Sequence, residues 1–225
     1  MSPTAVRFYF DYVSPNAYLA WTQLPLLVER FGVDVVPVPV LFAGLLDAQG
    51  RVGPAEVPDH IRWMWKNVLR KAAILSVPMN RPASHPFNPL LALRISSLPL
   101  PAPERLALID ALFQAVWAQG LDVSDPRVVV GVADGIGLAG AALVAQAQDS
   151  ESKARLRNQT DDAVARNVFG VPSMAVGDEL FWGYDDFPYL ALYLDGDDPL
   201  DPAVWKSWSK PLVPSAVRPR KKGLA

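Results

Sequence analysis

The chain has 225 residues, enough for one domain or two small ones, and its 51% hydrophobic and 20% charged residues are those of an ordinary globular protein. A formal net charge of -2 excludes the broad basic surface on which nucleic-acid binding depends. The absence of cysteine excludes disulfides, a thiol nucleophile of the protein's own and thiolate metal ligands, and leaves the redox compartment open.

The first apolar run, Phe8-Tyr9-Phe10-Asp11-Tyr12-Val13, reads as a strand that stops at Ser14. Pro15 then opens a segment in which Ala17, Ala20, Trp21, Leu24, Leu27, Val28 and Phe31 recur at helical spacing. Serine is a favoured N-cap and proline a favoured first helical residue, so Ser14-Pro15 marks a strand-to-helix junction. Ser14 therefore sits at the positive end of a helix dipole, where an anion or thiolate is favoured; as a plain cap it needs no ligand. Gly32 supplies the helix stop, and Val33 to Val40 form a second strand. Pro37 and Pro39 cannot donate to a ladder, which places that strand at a sheet edge. Strand, helix and strand make a βαβ unit with a right-handed crossover.

From Phe42 to about Pro172 no convincing strand appears. Helices are expected from Asp59 to Leu75, Leu90 to Leu98, Glu104 to Trp117, Arg127 to Ala133, Ala139 to Ala147 and Asp149 to Asn167, with proline-dense loops between several of them. Strands return at Pro172 to Val176 and Glu179 to Trp182 around a Gly177-Asp178 turn, and a closing helix starts near Asp185. The fold class expected is α/β: one domain formed by residues 1-45 and 150-215, split by an all-helical insertion at 46-149. Arg218 to Lys222 form a basic, solvated tail at 216-225. No apolar run is long enough to span a bilayer and no secretory signal pattern opens the chain, so a soluble, cytoplasmic protein without membrane partners is the default expectation.

The element order resembles the thioredoxin fold in its DsbA-like form, and the motifs resemble the family of 2-hydroxychromene-2-carboxylate isomerases and kappa-class glutathione transferases. The residues that carry this are Phe10-Asp11-Tyr12-Val13-Ser14-Pro15 with Tyr18-Leu19-Ala20, then Gly53-Pro54-Ala55-Glu56-Val57-Pro58, Val168-Phe169-Gly170-Val171-Pro172-Ser173, and Phe181-Trp182-Gly183-Tyr184-Asp185. The resemblance implies a cis bond before Pro172, with Val171 pairing its backbone to the cysteine of glutathione; read alone, Pro172 merely begins a strand. It also implies that Asp185 holds the γ-glutamyl amine, with Tyr184 beside it, although Asp is equally a helix N-cap. Asn16 and Arg51 join the glutathione-binding set, Arg51 as a partner for a carboxylate or as a solvated loop charge. Asp186 stands where relatives often carry Arg, and Arg51 where Asn is common.

In place of a Cys-x-x-Cys the chain has Ser14-Pro15-Asn16-Ala17, so thiol-disulfide exchange by the protein is excluded and any thiol comes from outside. Ser14 is then the catalytic residue, donating a hydrogen bond to a glutathione thiolate; a role as nucleophile would need a base, and His60 and His85 are remote in sequence. Lowering a thiol pKa from about 8.5 to about 7 takes roughly 2 kcal/mol, within reach of one charge-assisted hydrogen bond and a helix dipole. Phe42, Trp63, Met64 and Trp65 wall an aromatic substrate pocket, or else belong to the core. His85 reads as a hydrogen-bonded loop residue, and neither histidine has a ligand-spaced partner, so no metal is expected. The leading function is glutathione-dependent isomerisation of a conjugated enone acid, followed by glutathione conjugation and by a non-catalytic thiol- or peptide-binding module. A homodimer is implied by the resemblance alone.

Overall fold

The computed structural model describes residues 3–214 and 216, so the basic cluster Arg218 to Lys222 lies outside the described residues. Among the described residues four strands form one mixed sheet in the order β2-β1-β3-β4: β1 Ala5–Phe10, β2 Asp34–Pro39, β3 Ser173–Val176 and β4 Glu179–Trp182. β1 pairs parallel to β2 and antiparallel to β3, which pairs antiparallel to β4. The edge position expected of β2 from its prolines is the one observed, with Pro37 and Pro39 opposite Phe8 and Phe10. The Arg105 guanidinium donates to the Pro37 carbonyl and so covers part of that edge.

Between β1 and β2 runs α1, Pro15–Phe31. Ser14 caps it: its Oγ accepts from the Ala17 amide at 3.2 Å, and Gly32 ends the helix with a left-handed φ of 62° and an amide bonded to the Val28 carbonyl. The helical stretch between β2 and β3 comprises α2 Phe42–Gln49, α3 Pro58–Leu75, α4 Leu90–Ser96, α5 Ala102–Phe113, α6 Pro126–Gly135, α7 Gly140–Gln146 and α8 Ser150–Ala165, and α9 Phe187–Asp195 and α10 Pro202–Trp208 follow the sheet. Helices α2 and α10 were not expected from the sequence. The cap residue of α2 is Leu41, which offers no side-chain hydrogen bond, so the usual start signal is missing. The closing helix also begins later than expected, at Phe187, because Tyr184–Asp186 form a separate 3-10 turn.

Alternation along β1 covers both faces of the sheet. Val6, Phe8 and Phe10 face the main core with Trp21, Leu24 and Phe113, whereas Tyr9 faces a second cluster with Val40, Leu45, Ala163 and Val171. The main core continues into the helical stretch through packed aromatics, Phe10 edge-on to Tyr12 at 5.3 Å and Tyr12 tilted against Phe113 at 4.7 Å between ring centroids. The β1–α1 turn is therefore sealed from the far side by the helices. Among the described residues no helix is long and apolar enough to cross a membrane.

Candidate functional site

The turn from Asp11 to Ser14 leaves the sheet and must satisfy its backbone polar groups away from water. The Ser14 amide donates to the Asp11 carbonyl at 3.1 Å, and the Val13 amide donates to Asp11 Oδ1 at 3.0 Å. Asp11 Oδ2 accepts the Phe42 amide at 2.9 Å, which ties the turn to the start of α2. From the helical side, Trp117 Nε1 donates to the Tyr12 carbonyl at 2.9 Å, and His85 Nε2 donates to the Val13 carbonyl at 2.9 Å. Trp117 lies in a widened π-helical turn, Gln114–Ala118, that continues α5. Tyr12 hydroxyl and Ser96 Oγ share a hydrogen bond of 2.7 Å.

Ser14 projects from this braced turn toward the loop before β3. The Val171–Pro172 peptide bond is cis, and the Ser14 hydroxyl donates to the Val171 carbonyl at 3.2 Å. The Val171 amide donates to no group among the described residues. The loop thus presents an unpaired backbone donor beside a carbonyl, the edge that an extended peptide would meet. Gly170 allows the indole of Trp182 to lie against this loop: an added Cβ there would stand 2.5 Å from Trp182 Nε1.

Both groups open into a cavity of about 890 Å³. The cavity brings together Ser14, Asn16, Arg51, Val171, Phe42 and Met64 from the sequence-derived set. Trp63, Trp65, Tyr184 and Asp185 do not line it. Trp63 is 57% exposed beside His60, and Trp65 packs edge-on against His85 at 4.8 Å, so these two tryptophans are not pocket walls. Arg51 is exposed and donates to Gln49 Oε1 at 3.3 Å. Asp185 is not the helix cap either: Asp186 accepts the Trp182 amide, while Asp185 Oδ2 accepts from Lys71 Nζ at 2.7 Å. The same ammonium donates to Asn16 Oδ1 at 3.2 Å, so Lys71 links Asp185 back to the first turn of α1.

Three residues near Ser14 escaped sequence reasoning in the roles they hold here. Asp11 is almost wholly buried in the cavity floor; desolvation pushes its carboxyl up to about 7, against the opposing pull of the Val13 and Phe42 amides. His85, remote in sequence, lines the cavity. Burial lowers its pKa, and the bond to a carbonyl requires the proton on Nε2, so the ring is neutral with Nδ1 unpartnered. Lys71 carried a detectable signal: it falls three residues after Val68 and seven after Met64, both buried, and a charge on that stripe calls for a partner.

The sheet order, the cis-proline loop and the capped strand-to-helix turn together define a thioredoxin-type protein of the DsbA-like class, and residues 5–195 match the family model for the DSBA-like thioredoxin domain. A 2-hydroxychromene-2-carboxylate isomerase of Sphingobium xenophagum is 32% identical over 84% of this chain and 97% of its own length. The glutathione S-transferase kappa 1 of Rattus norvegicus is 23% identical over 89% of this chain and 95% of its own length. A solved structure of a 2-hydroxychromene-2-carboxylate isomerase superposes with a TM-score of 0.80 at 26% identity, covering 85% of this chain and 95% of that one. Within the DsbA-like class, the chain belongs to the family of 2-hydroxychromene-2-carboxylate isomerases and kappa-class glutathione transferases.

Proposed function

We propose that the protein is a glutathione-dependent isomerase that interconverts 2-hydroxychromene-2-carboxylate and trans-o-hydroxybenzylidenepyruvate, or a related enone acid. The observation that carries this reading is the Ser14 hydroxyl, at a helix N-terminus and 3.2 Å from the carbonyl that precedes cis-Pro172, in a chain with no cysteine. Glutathione fits that arrangement because the Val171 amide and carbonyl offer one donor and one acceptor to an extended backbone. When bound, it supplies a thiolate whose reversible addition to the double bond makes rotation cheap before elimination restores conjugation.

The chain's own residues prepare that chemistry. In the free protein the Ser14 hydroxyl is engaged by the Val171 carbonyl, and once a ligand amide takes that carbonyl, the hydroxyl is released to donate to sulfur. The α1 dipole acts on the same point. Apolar walls including Phe42, Met64 and Phe87 suit an aromatic substrate and keep water from the reacting atoms. The neutral His85 adds no positive charge to the floor, and Asp11 opposes a thiolate only when ionised.

Absorbance-monitored equilibration of a 2-hydroxychromene-2-carboxylate, with and without glutathione, tests the reading; an equal rate without glutathione refutes it. The likeness to kappa-class transferases supports a second reading, conjugation of glutathione to electrophiles, which is favoured if a model electrophile is conjugated while the chromene is left unchanged.

A further inference from the structure

Residues 5–195 carry the family match, and α10 lies beyond it. Every residue from 196 to 214 is exposed, and none belongs to either core cluster. Asp201 caps α10, accepting from the Ala203 amide at 2.7 Å and the Val204 amide at 3.4 Å. Among the described residues, the other hydrogen bonds of residues 198–209 also stay within that segment. A helix of seven residues is too short to be stable in water by itself, so its formation calls for a surface to lie on.

The chemistry of the segment says which surface. Val204, Trp205 and Trp208 are three and four residues apart and so share one face of α10. They are 51%, 54% and 76% exposed, and Leu212 and Val213 after the helix are 90% and 93% exposed. An apolar patch of that extent on a free surface marks an interaction site. Lys206 and Lys210 accompany it, and the sequence adds Arg218, Arg220, Lys221 and Lys222 outside the described residues. No Asp or Glu occurs after Asp201, whereas Asp195, Asp197, Asp198 and Asp201 all precede the helix. The charge therefore runs from acidic beside the folded domain to wholly basic beyond it, which is complementary to an anionic surface facing α10. Tryptophan sits well at the level of lipid headgroups, with its ring in the apolar boundary and its N–H in water. Single-stranded nucleic acid would use the tryptophans and the cations, but stacking gives no role to Val204, Leu212 and Val213.

We propose that α10 and the residues after it form a docking surface for an anionic membrane. Trp205, Trp208, Leu212 and Val213 enter the headgroup boundary, and the lysines and arginines meet the anionic headgroups. The segment lies in the interface and does not span it, in keeping with the lack, among the described residues, of a helix able to cross a membrane.

Sedimentation of the full chain with vesicles tests this. Wild type is expected to pellet with vesicles of phosphatidylcholine and phosphatidylserine, and to stay in solution with phosphatidylcholine alone or at high salt. Lys206→Gln with Lys210→Gln should weaken binding to the mixed vesicles about tenfold or more, since each cation near such a surface contributes roughly fivefold. Trp205→Ala with Trp208→Ala should weaken it by about tenfold or more, through lost apolar burial. The midpoint of urea denaturation should not move in either double variant, because both pairs are exposed. Vesicle binding that survives the loss of both tryptophans overturns the proposal, as does equal binding to phosphatidylcholine alone. Wild type that ignores vesicles but binds polyuridylic acid, or that self-associates through Trp205 and Trp208 by sedimentation velocity, also overturns it: the surface then serves RNA or a second copy of the chain. Should the variants fail to fold, the lipid and salt dependence of wild type decides alone, and no binding to the mixed vesicles refutes the membrane reading.

Discussion

The turn that carries Ser14 and the turn that carries Asp185 flank the same end of α1, but they are built differently. Around Ser14 the carbonyls of Tyr12 and Val13 and the amides of Val13 and Ser14 all have partners, drawn from Trp117, His85 and Asp11. The Asp185 side chain is mostly in water and meets the rest of the protein through Lys71. A rigid donor suits a thiolate that must be stabilised at one point, since preorganised dipoles cost no reorganisation during reaction. A looser, charged turn suits capture of a ligand's flexible end, where steering counts for more than position.

The strongest way to disturb the braced turn is through the charge in its floor. The Asp11 pKa is raised on folding from 3.8 to about 7, so its contribution to stability is complete below about pH 4 and is lost as pH rises through about 7. The full loss is about 4 kcal/mol in order of magnitude. His85 acts in the opposite direction: its lowered pKa gives a contribution that is present above the usual histidine range and lost as pH falls below it. Urea denaturation from pH 4 to pH 8 should therefore separate the two. Asp11→Asn should remove the decline toward neutral pH, and His85→Gln the decline toward acid; an Asp11→Asn curve parallel to wild type would show that Asp11 is already ionised throughout.

Next in size is the brace itself. Trp117→Phe leaves the buried Tyr12 carbonyl without its donor and should cost about 2–3 kcal/mol by urea denaturation. It should also lower kcat through misplacement of Ser14, and full kcat after such a loss would break the contrast between the two turns. Ser14→Ala follows, with the glutathione-dependent rate falling about 10- to 100-fold, as expected for one hydrogen bond to a charged group. The pH-rate profile should shift to higher pH as the bound thiol's pKa rises; an unmoved profile would mean that the helix dipole alone holds the thiolate. Loss of the cap should reduce stability by only about 1 kcal/mol. Arg51→Ala should have the smallest effect, under about threefold in glutathione affinity, because the charge of an exposed arginine, whose side chain bonds to Gln49 among the described residues, is well screened. A larger loss would make the α2–α3 connection a second charged recognition element.

Most of the architecture could be read from local pattern. Alternation and proline placement located the strands and put β2 at the edge, while helical spacing located α1 and the long helices between β2 and β3. Helix ends were less legible where no polar cap announces them, as at Leu41 before α2, or where a 3-10 turn intervenes, as before α9. At the site, Ser14 was visible because a serine cap followed by proline places it locally, whereas Asn16 and Val171 were reached through the resemblance of their motifs to those of the family. Trp63 and Trp65 misled because aromatic residues on a helix give no indication of which neighbour they will meet; one lies in solvent and the other beside His85.

Local sequence was enough to specify a strand running into a serine-capped helix, an edge strand with proline, a later Val171-Pro172 loop, and a chain that must borrow any thiol it uses. Those features depend on contacts within a few residues, on helix and strand periods and on composition. Tertiary structure decided what surrounds Ser14: that His85 and Trp117 brace its turn, that Asp11 lies buried beneath it, and that Lys71 couples Asn16 to Asp185. Each of those depends on chain segments tens of residues apart arriving at one point. Their partners and charge states follow from the burial and hydrogen bonding created there, which no local pattern encodes.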